Sequence, residues 1–149
     1  MLKGLDALLN ADLLYALAAM GHGDELAVVD CNFPATSTGR RVVRLDGVDV
    51  CAAIRAVPTV FPVDTFVDEP LVRMQVVDAP NDVPDVQREV QALAAHAEQR
   101  EIRMGSLSRK AFYERAARAF AIVATGETRP YGCFLFVKGV TYPDAERHG

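Results

Sequence analysis

Two hydrophobic periods alternate along the chain, one helical and one strand-like. Leu13, Leu14, Leu17, Ala18 and Met20 recur at helical spacing behind Asn10, whose side chain can cap the first turn, with Asp12 at the positive end of the helix dipole. Gly21 is expected to stop this helix as a C′ residue. Its last turns are apolar on nearly every side, the pattern of a helix buried on more than one face. In a chain this short, a neighbouring subunit can supply one of those faces. Glu25 to Asp30 reads as a buried strand, and Pro34 and Gly39 mark the loop after it. Arg41 to Leu45 predicts a second strand, Asp49 to Val57 a short helix capped by Asp49, and Leu71 to Val77 a further strand. Pro80 and Pro84 flank a turn into a helix of roughly 16 residues, with Val86, Val90, Leu93, Ala94 and Ala97 as its apolar stripe. Ser106 or Ser108 can cap the next helix, which buries Phe112, Ala116, Ala119 and Phe120. Ala121 to Thr125 and Gly132 to Lys138 complete the strands. Helices and strands alternate, so the predicted class is α/β, one domain over residues 1–149 with a mostly parallel sheet flanked by helices.

Composition narrows this picture. Of the 149 residues, 50% are hydrophobic and 24% charged, a globular balance, and a chain of this length can bury a core unaided. A net charge of −4 argues against a generic nucleic-acid partner. The longest apolar run, Leu13 to Met20, falls well short of the roughly 20 residues that a membrane span needs, and the start of the chain lacks the apolar stretch of a secretory signal. Cys31, Cys51 and Cys133 match neither a zinc pattern nor Cys-x-x-Cys, which suits reduced thiols in a cytoplasmic protein. Charge is unevenly spread: residues 1–99 carry 7 basic and 15 acidic groups, residues 100–149 carry 9 and 5. The two parts can complement each other within the fold or between subunits.

Candidate chemistry is sparse. Of the three histidines, His148 is next to last and His96 lies off the apolar stripe of the long helix, a solvated position. His22 sits between Gly21 and Gly23 at a helix-to-strand junction, where glycines permit unusual dihedrals and close approach of a ligand. An imidazole titrates near pH ~6.5, which suits acid–base work; a turn histidine with no role is the competing reading. Asp30 ends an apolar strand, and ligands of open α/β sheets bind beyond such ends. It is placed either to accept hydrogen bonds from sugar hydroxyls or to cap the following turn. Arg109 at a helix start and Tyr131 at a strand start could together clamp a polyol, or be surface filler. No Gly-x-Gly-x-x-Gly, Walker loop or Gly-x-Ser-x-Gly elbow occurs. His22 and Asp24 lack a third metal ligand at useful spacing, and Cys133 would act as a nucleophile only if His22 approached it in the fold.

The segment Met20-Gly21-His22-Gly23-Asp24-Glu25, then Asp30 and Asn32-Phe33-Pro34-Ala35, resembles the opening of the RbsD/FucU family of D-ribose pyranases and L-fucose mutarotases. Ala111 to Ala116 (Ala-Phe-Tyr-Glu-Arg-Ala), Phe120 to Val123, Thr125-Gly126-Glu127 and Tyr131-Gly132 extend the resemblance, which runs from Leu2 to about Thr141 and leans toward the fucose mutarotase branch. It implies an RbsD-like fold and a cofactor-independent isomerase with no metal. The implied substrate is a free aldose such as L-fucose, and the implied assembly a homo-oligomer, typically a decamer, with sites at subunit contacts. It implies His22 as proton donor, with Asp30, Arg109 and the Tyr131-Gly132-Cys133 segment on the sugar, and Tyr113 or Tyr131 assisting with the second proton. Cys133 stands where the family has Asn, and a thiol cannot replace an amide that both donates and accepts. The alternative is a non-catalytic monosaccharide-binding protein accessory to sugar transport.

Anomerisation fits this inventory, because it needs only that the ring oxygen gain a proton while the anomeric hydroxyl loses one. A geometric tension accompanies it. Extended at about 3.3 Å per residue, residues 22 to 30 would hold His22 and Asp30 some 26 Å apart. Either the Gly21–Glu25 turn folds back, or the site is shared between subunits; the second option is the expected one.

Overall fold

The computed structural model describes residues 1–143, so His148 lies outside the described residues. The helices are α1 (Ala11–Ala19), α2 (Ala35–Thr38), α3 (Val50–Ala56), α4 (Asp85–Glu98) and α5 (Arg109–Arg118). The strands are β1 (Glu25–Val29), β2 (Val42–Leu45), β3 (Leu71–Met74), β4 (Met104–Leu107), β5 (Ala121–Thr125) and β6 (Phe134–Val137). They form one six-stranded sheet in the order β2-β5-β1-β6-β3-β4. β1–β5, β2–β5 and β3–β4 pair in parallel, while β6 runs antiparallel to both β1 and β3. The sheet is therefore mixed and mostly parallel, with β6 alone reversed.

Side chains of a strand alternate between faces, and the two faces bury separate cores. Leu26, Val28, Val123 and Phe134 point to the side covered by α1, α3 and α4. Ala27, Val29, Ile122 and Leu135 point to the other side, against Phe112 and Ala116 of α5 and Ala35 of α2. A sheet covered on both faces has no place for polar alternation, which is why β1, β3, β5 and β6 read as nearly continuous apolar runs.

Local signals explain most element starts. The side chains of Asn10, Asp49 and Ser108 accept from the backbone N–H groups of Leu13, Ala52 and Ala111, capping α1, α3 and α5. Ser106, the other cap candidate, lies instead in β4, a strand that the periodicity did not predict. Ala97 is exposed and does not belong to the apolar stripe of α4, which buries Val86, Gln87, Val90 and Ala94. α1 ends in an extended Met20, and the left-handed glycine of the following turn is Gly23 (φ 88°) rather than Gly21. Tyr15, Ala18 and Ala19, on the outer face of α1, are exposed despite their apolar character. Among the described residues no helix is long and apolar enough to cross a membrane.

Candidate functional site

The reversal of β6 sorts the candidate residues to two opposite ends of the sheet. At one end, the carboxyl termini of β1 and β3 meet the segment leading into β6, because Val28 and Arg73 both pair with Phe134. At the other end, the turn before β1 meets the exit from β6, where the Gly23 N–H donates to the Lys138 carbonyl at 2.9 Å.

His22 occupies this second end. Its Nε2 is 2.9 Å from Oδ1 of Asp64, and the imidazole is 44% exposed while the Asp64 side chain is 2% exposed. A carboxylate has only acceptors, so Nε2 carries the hydrogen of this bond and Nδ1 is the nitrogen left for a ligand. Asp64 is itself fixed: Oδ2 accepts from the N–H groups of Phe66 and Val67, and its own N–H donates to the Val137 carbonyl. The Phe66 ring lies 4.8 Å from the imidazole. Lys138 reaches under the C-terminus of α1, donating to the carbonyls of Leu17 and Met20, where a cation complements the helix dipole. A cavity of about 420 Å³ opens here, bounded by His22, Lys138, Val60 and the apolar flank of α1.

The first end gathers the other candidates. Asp30, Arg109, Tyr113, Tyr131 and Cys133 line one pocket of about 200 Å³, with Phe33, Met74 and Val77 as apolar walls. Asp30 caps the turn after β1, Oδ1 accepting from the N–H groups of Asn32 and Phe33 at 3.0 Å. The turn-capping role is thus present, and the residue still faces the pocket. Arg109 opens α5 and lies over the Tyr113 ring at 5.3 Å. Tyr131 adopts a left-handed backbone (φ 64°), and its hydroxyl oxygen accepts from the Val77 N–H at 3.2 Å. Gly132 contributes by its lack of a side chain, since a Cβ there would come within 3.0 Å of Glu127 Cγ and 3.6 Å of Asp30 Cβ.

Cys133 is 2% exposed. Burial, and then the charge of Asp30, push its thiol well above the usual range. The condition for a Cys133 nucleophile is not met: His22 lies at the opposite end of the sheet, and burial favours the protonated thiol. An ion-pair network adjoins the pocket through Glu127, which lies against Gly132, and no motif marks its other members, Arg129 and Glu89. Arg129 donates to Oε1 of Glu127 at 3.0 Å and to Oε2 of Glu89 at 2.6 Å. Burial raises the Glu127 carboxyl, but hydrogen bonds and charge from Arg129 and the Val50 N–H outweigh it and hold that group below its ordinary value. Asp64 was also missed. It lies 42 residues from His22 in a proline-punctuated loop, where no periodicity marks it. Among the described residues no group of three His, Cys, Asp or Glu side chains could hold a metal ion.

The chain thus carries an Asp–His pair at one end and the pocket lined by Asp30, Arg109 and Tyr131 at the other, and it does not bring the two together. Comparison with known proteins matches residues 3–141 to the RbsD / FucU transport protein family. An L-fucose mutarotase of Histophilus somni (strain 2336) is 40% identical over 95% of this chain and 98% of its own length. A human fucose mutarotase is 41% identical over 93% of this chain and 94% of its own. The fucose mutarotase of Streptococcus pneumoniae, solved in complex with L-fucose, superimposes with a TM-score of 0.88 at 34% identity, covering 95% of this chain and all of that one (100%).

Proposed function

The chain belongs to the RbsD / FucU family and is a sugar mutarotase of the isomerase class, and from that premise we propose that it interconverts the anomers of a free aldose such as L-fucose at a site shared between two subunits. Residues 1–149 would act as one domain. The observation that carries the reading is the separation of the two half-sites. His22 with Asp64 can move protons, but the cavity beside it is mostly apolar among the described residues, and its Lys138 is already engaged by the carbonyls of Leu17 and Met20. Asp30, Arg109, Tyr113 and Tyr131 can hold hydroxyls but have no imidazole.

In the proposed reaction, Nδ1 of His22 exchanges a proton with the ring oxygen or the anomeric hydroxyl, and Asp64 stabilises the imidazolium that forms. Asp30 and Arg109 orient the sugar. Tyr131 or Tyr113 handles the second proton, so the ring opens to an aldehyde, the carbonyl turns, and the ring recloses. The same steps with attack from a different hydroxyl would convert ring forms. No electron transfer or phosphate is involved. Phe33, Met74 and Val77 supply apolar walls beside the hydroxyl-binding groups, the usual make-up of a small-molecule pocket. The exposed apolar face of α1 next to His22 supports a neighbouring copy at that end, and the assembly is proposed as a closed homo-oligomer, a decamer. Three free cysteines support a cytoplasmic setting.

The buried Asp64 carboxylate aimed at His22 favours an enzyme over a sugar-binding accessory of transport, because a pure binder has no use for an oriented imidazole. Saturation-transfer NMR on a panel of aldoses near neutral pH tests this. Exchange between anomer signals in the presence of the protein, lost in His22→Ala, is the expected result. Binding without exchange, or undiminished exchange by His22→Ala, overturns it.

A further inference from the structure

Gln87 is a glutamine in a place where α4 should present an apolar side chain, and it is fully buried (0% exposed). Its amide Nε2 donates two hydrogen bonds, to the Met74 carbonyl at 2.7 Å and to the Tyr131 carbonyl at 3.0 Å. Two carbonyls on that side fix the orientation of the amide, since only NH₂ can meet them. Its Oε1 then accepts from Nη1 of Arg73 at 3.2 Å. Arg73, a buried cation on β3, also donates to the carbonyls of Pro80 and Asp82 in the loop between β3 and α4. That loop contains Val77, whose N–H meets the Tyr131 hydroxyl.

Both ends of Tyr131 are therefore tied to the same frame, its carbonyl through Gln87 and its hydroxyl through Val77. Tyr131 needs such a hold. A tyrosine at φ 64° occupies backbone space that side chains with a Cβ rarely adopt, and that conformation persists only where the surroundings over-determine it. With one lone pair of its hydroxyl engaged by Val77, Tyr131 keeps its proton and a second lone pair for a ligand. We propose that Gln87 is the positioning residue of the sugar pocket: its amide holds Tyr131 in the left-handed conformation, and through Arg73 it sets the loop that orients the Tyr131 hydroxyl. The side-chain hydrogen bonds of Gln87 go to Tyr131, to Arg73 and to the end of β3 beside them, and a residue kept only to fill the core would be leucine or methionine. The inference rests on the proposed role of Tyr131 in anomer exchange.

Gln87→Met keeps the volume and removes the donors. Anomer-exchange kinetics by NMR are expected to show turnover falling by about 10-fold or more while KM moves by less than about 3-fold, the pattern of lost orientation rather than lost binding. In a Tyr131→Phe background the same substitution should cost less than about 2-fold further, because the two residues act as one unit. A crystal structure of Gln87→Met should show Tyr131 out of positive φ. Gln87→Glu, which preserves the length of the side chain and a partner for Arg73 but presents oxygen to both carbonyls, should lose turnover in the same way; it serves if the Met variant does not fold. Wild-type turnover in either folded variant, unchanged Tyr131 φ, or losses that simply multiply with Tyr131→Phe would overturn the inference. Undiminished exchange by Tyr131→Phe alone would instead remove the reading of the pocket, and this inference with it.

Discussion

His22 Nε2 and Oδ1 of Asp64 lie 2.9 Å apart, although 42 residues separate them, and the carboxylate is buried while the imidazole is nearly half exposed. Such a pair fixes the ring orientation and leaves Nδ1 open to a ligand. Asp64→Asn keeps the shape but not the charge that stabilises an imidazolium. We expect it to lower turnover about 10- to 100-fold, within the range a positioned acid–base contributes, with sugar affinity unchanged. Exchange NMR together with a binding titration checks this. An Asp64→Asn protein as fast as wild type would remove Asp64 from the mechanism.

Sharing of the site between copies can be tested by complementation. His22→Ala and Tyr131→Phe are each expected to be slow alone. After unfolding together and reassembly in equal amounts, about a quarter of the contacts in a symmetric oligomer would join an intact His22 to an intact Tyr131. Activity should return to roughly that fraction of wild type. A mixture no faster than its components would place each site within one copy.

Gly139 lies against the backbone that presents Asp64. A Cβ at residue 139 would come within 2.9 Å of Asp64 Cα and 3.0 Å of the Val63 carbonyl, both main-chain atoms with little room to yield. Gly139→Ala is expected to cost on the order of 1–3 kcal/mol of stability, as overpacking does, and to lower turnover more than His22-independent sugar binding. Thermal melts and exchange kinetics on the same sample separate the two effects. Equal losses in turnover and binding would show that the strain spreads beyond Asp64.

The thiol of Cys133 gives stability a pH dependence of defined sign. Burial and Asp30 raise its folded value well above 9.0, so the native chain keeps this proton after the unfolded chain has released it. The contribution is complete below the ordinary thiol range and is lost as pH rises past it, by up to about 1.4 kcal/mol per pH unit for one proton. Cys51, raised chiefly by burial, acts in the same direction. Urea unfolding at several alkaline pH values should show the decline, and Cys133→Ala should make it shallower. Parallel curves for the two proteins would contradict the assignment.

How far the sequence reached is clearest at single residues. Asn10, Asp49 and Ser108 announced their helices because capping is local chemistry. His22 stood out because glycines flank it. Asp30, Arg109, Tyr113, Tyr131 and Cys133 line one pocket. β4 escaped because Met104-Gly105-Ser106-Leu107 lies at the sheet edge with only Gly105 fully buried, so it has no apolar run to read. Asp64 and Gln87 escaped for another reason. Their partners are brought near by the reversed β6 and by the packing of α4, and nothing in a one-dimensional pattern encodes those approaches.

The strand β6 runs from Phe134, beside the pocket of Asp30 and Tyr131, to Val137, beside the Asp–His pair. If each working site takes one end from each of two copies, every subunit is both a giver and a receiver, and an unpaired terminus of an assembly wastes one half of each kind. A row of n copies would hold n − 1 sites, and only closure recovers the last. Dilution would then reduce activity per subunit well before any subunit unfolds, so that the concentration of the protein itself becomes a control on how fast its sugar equilibrates.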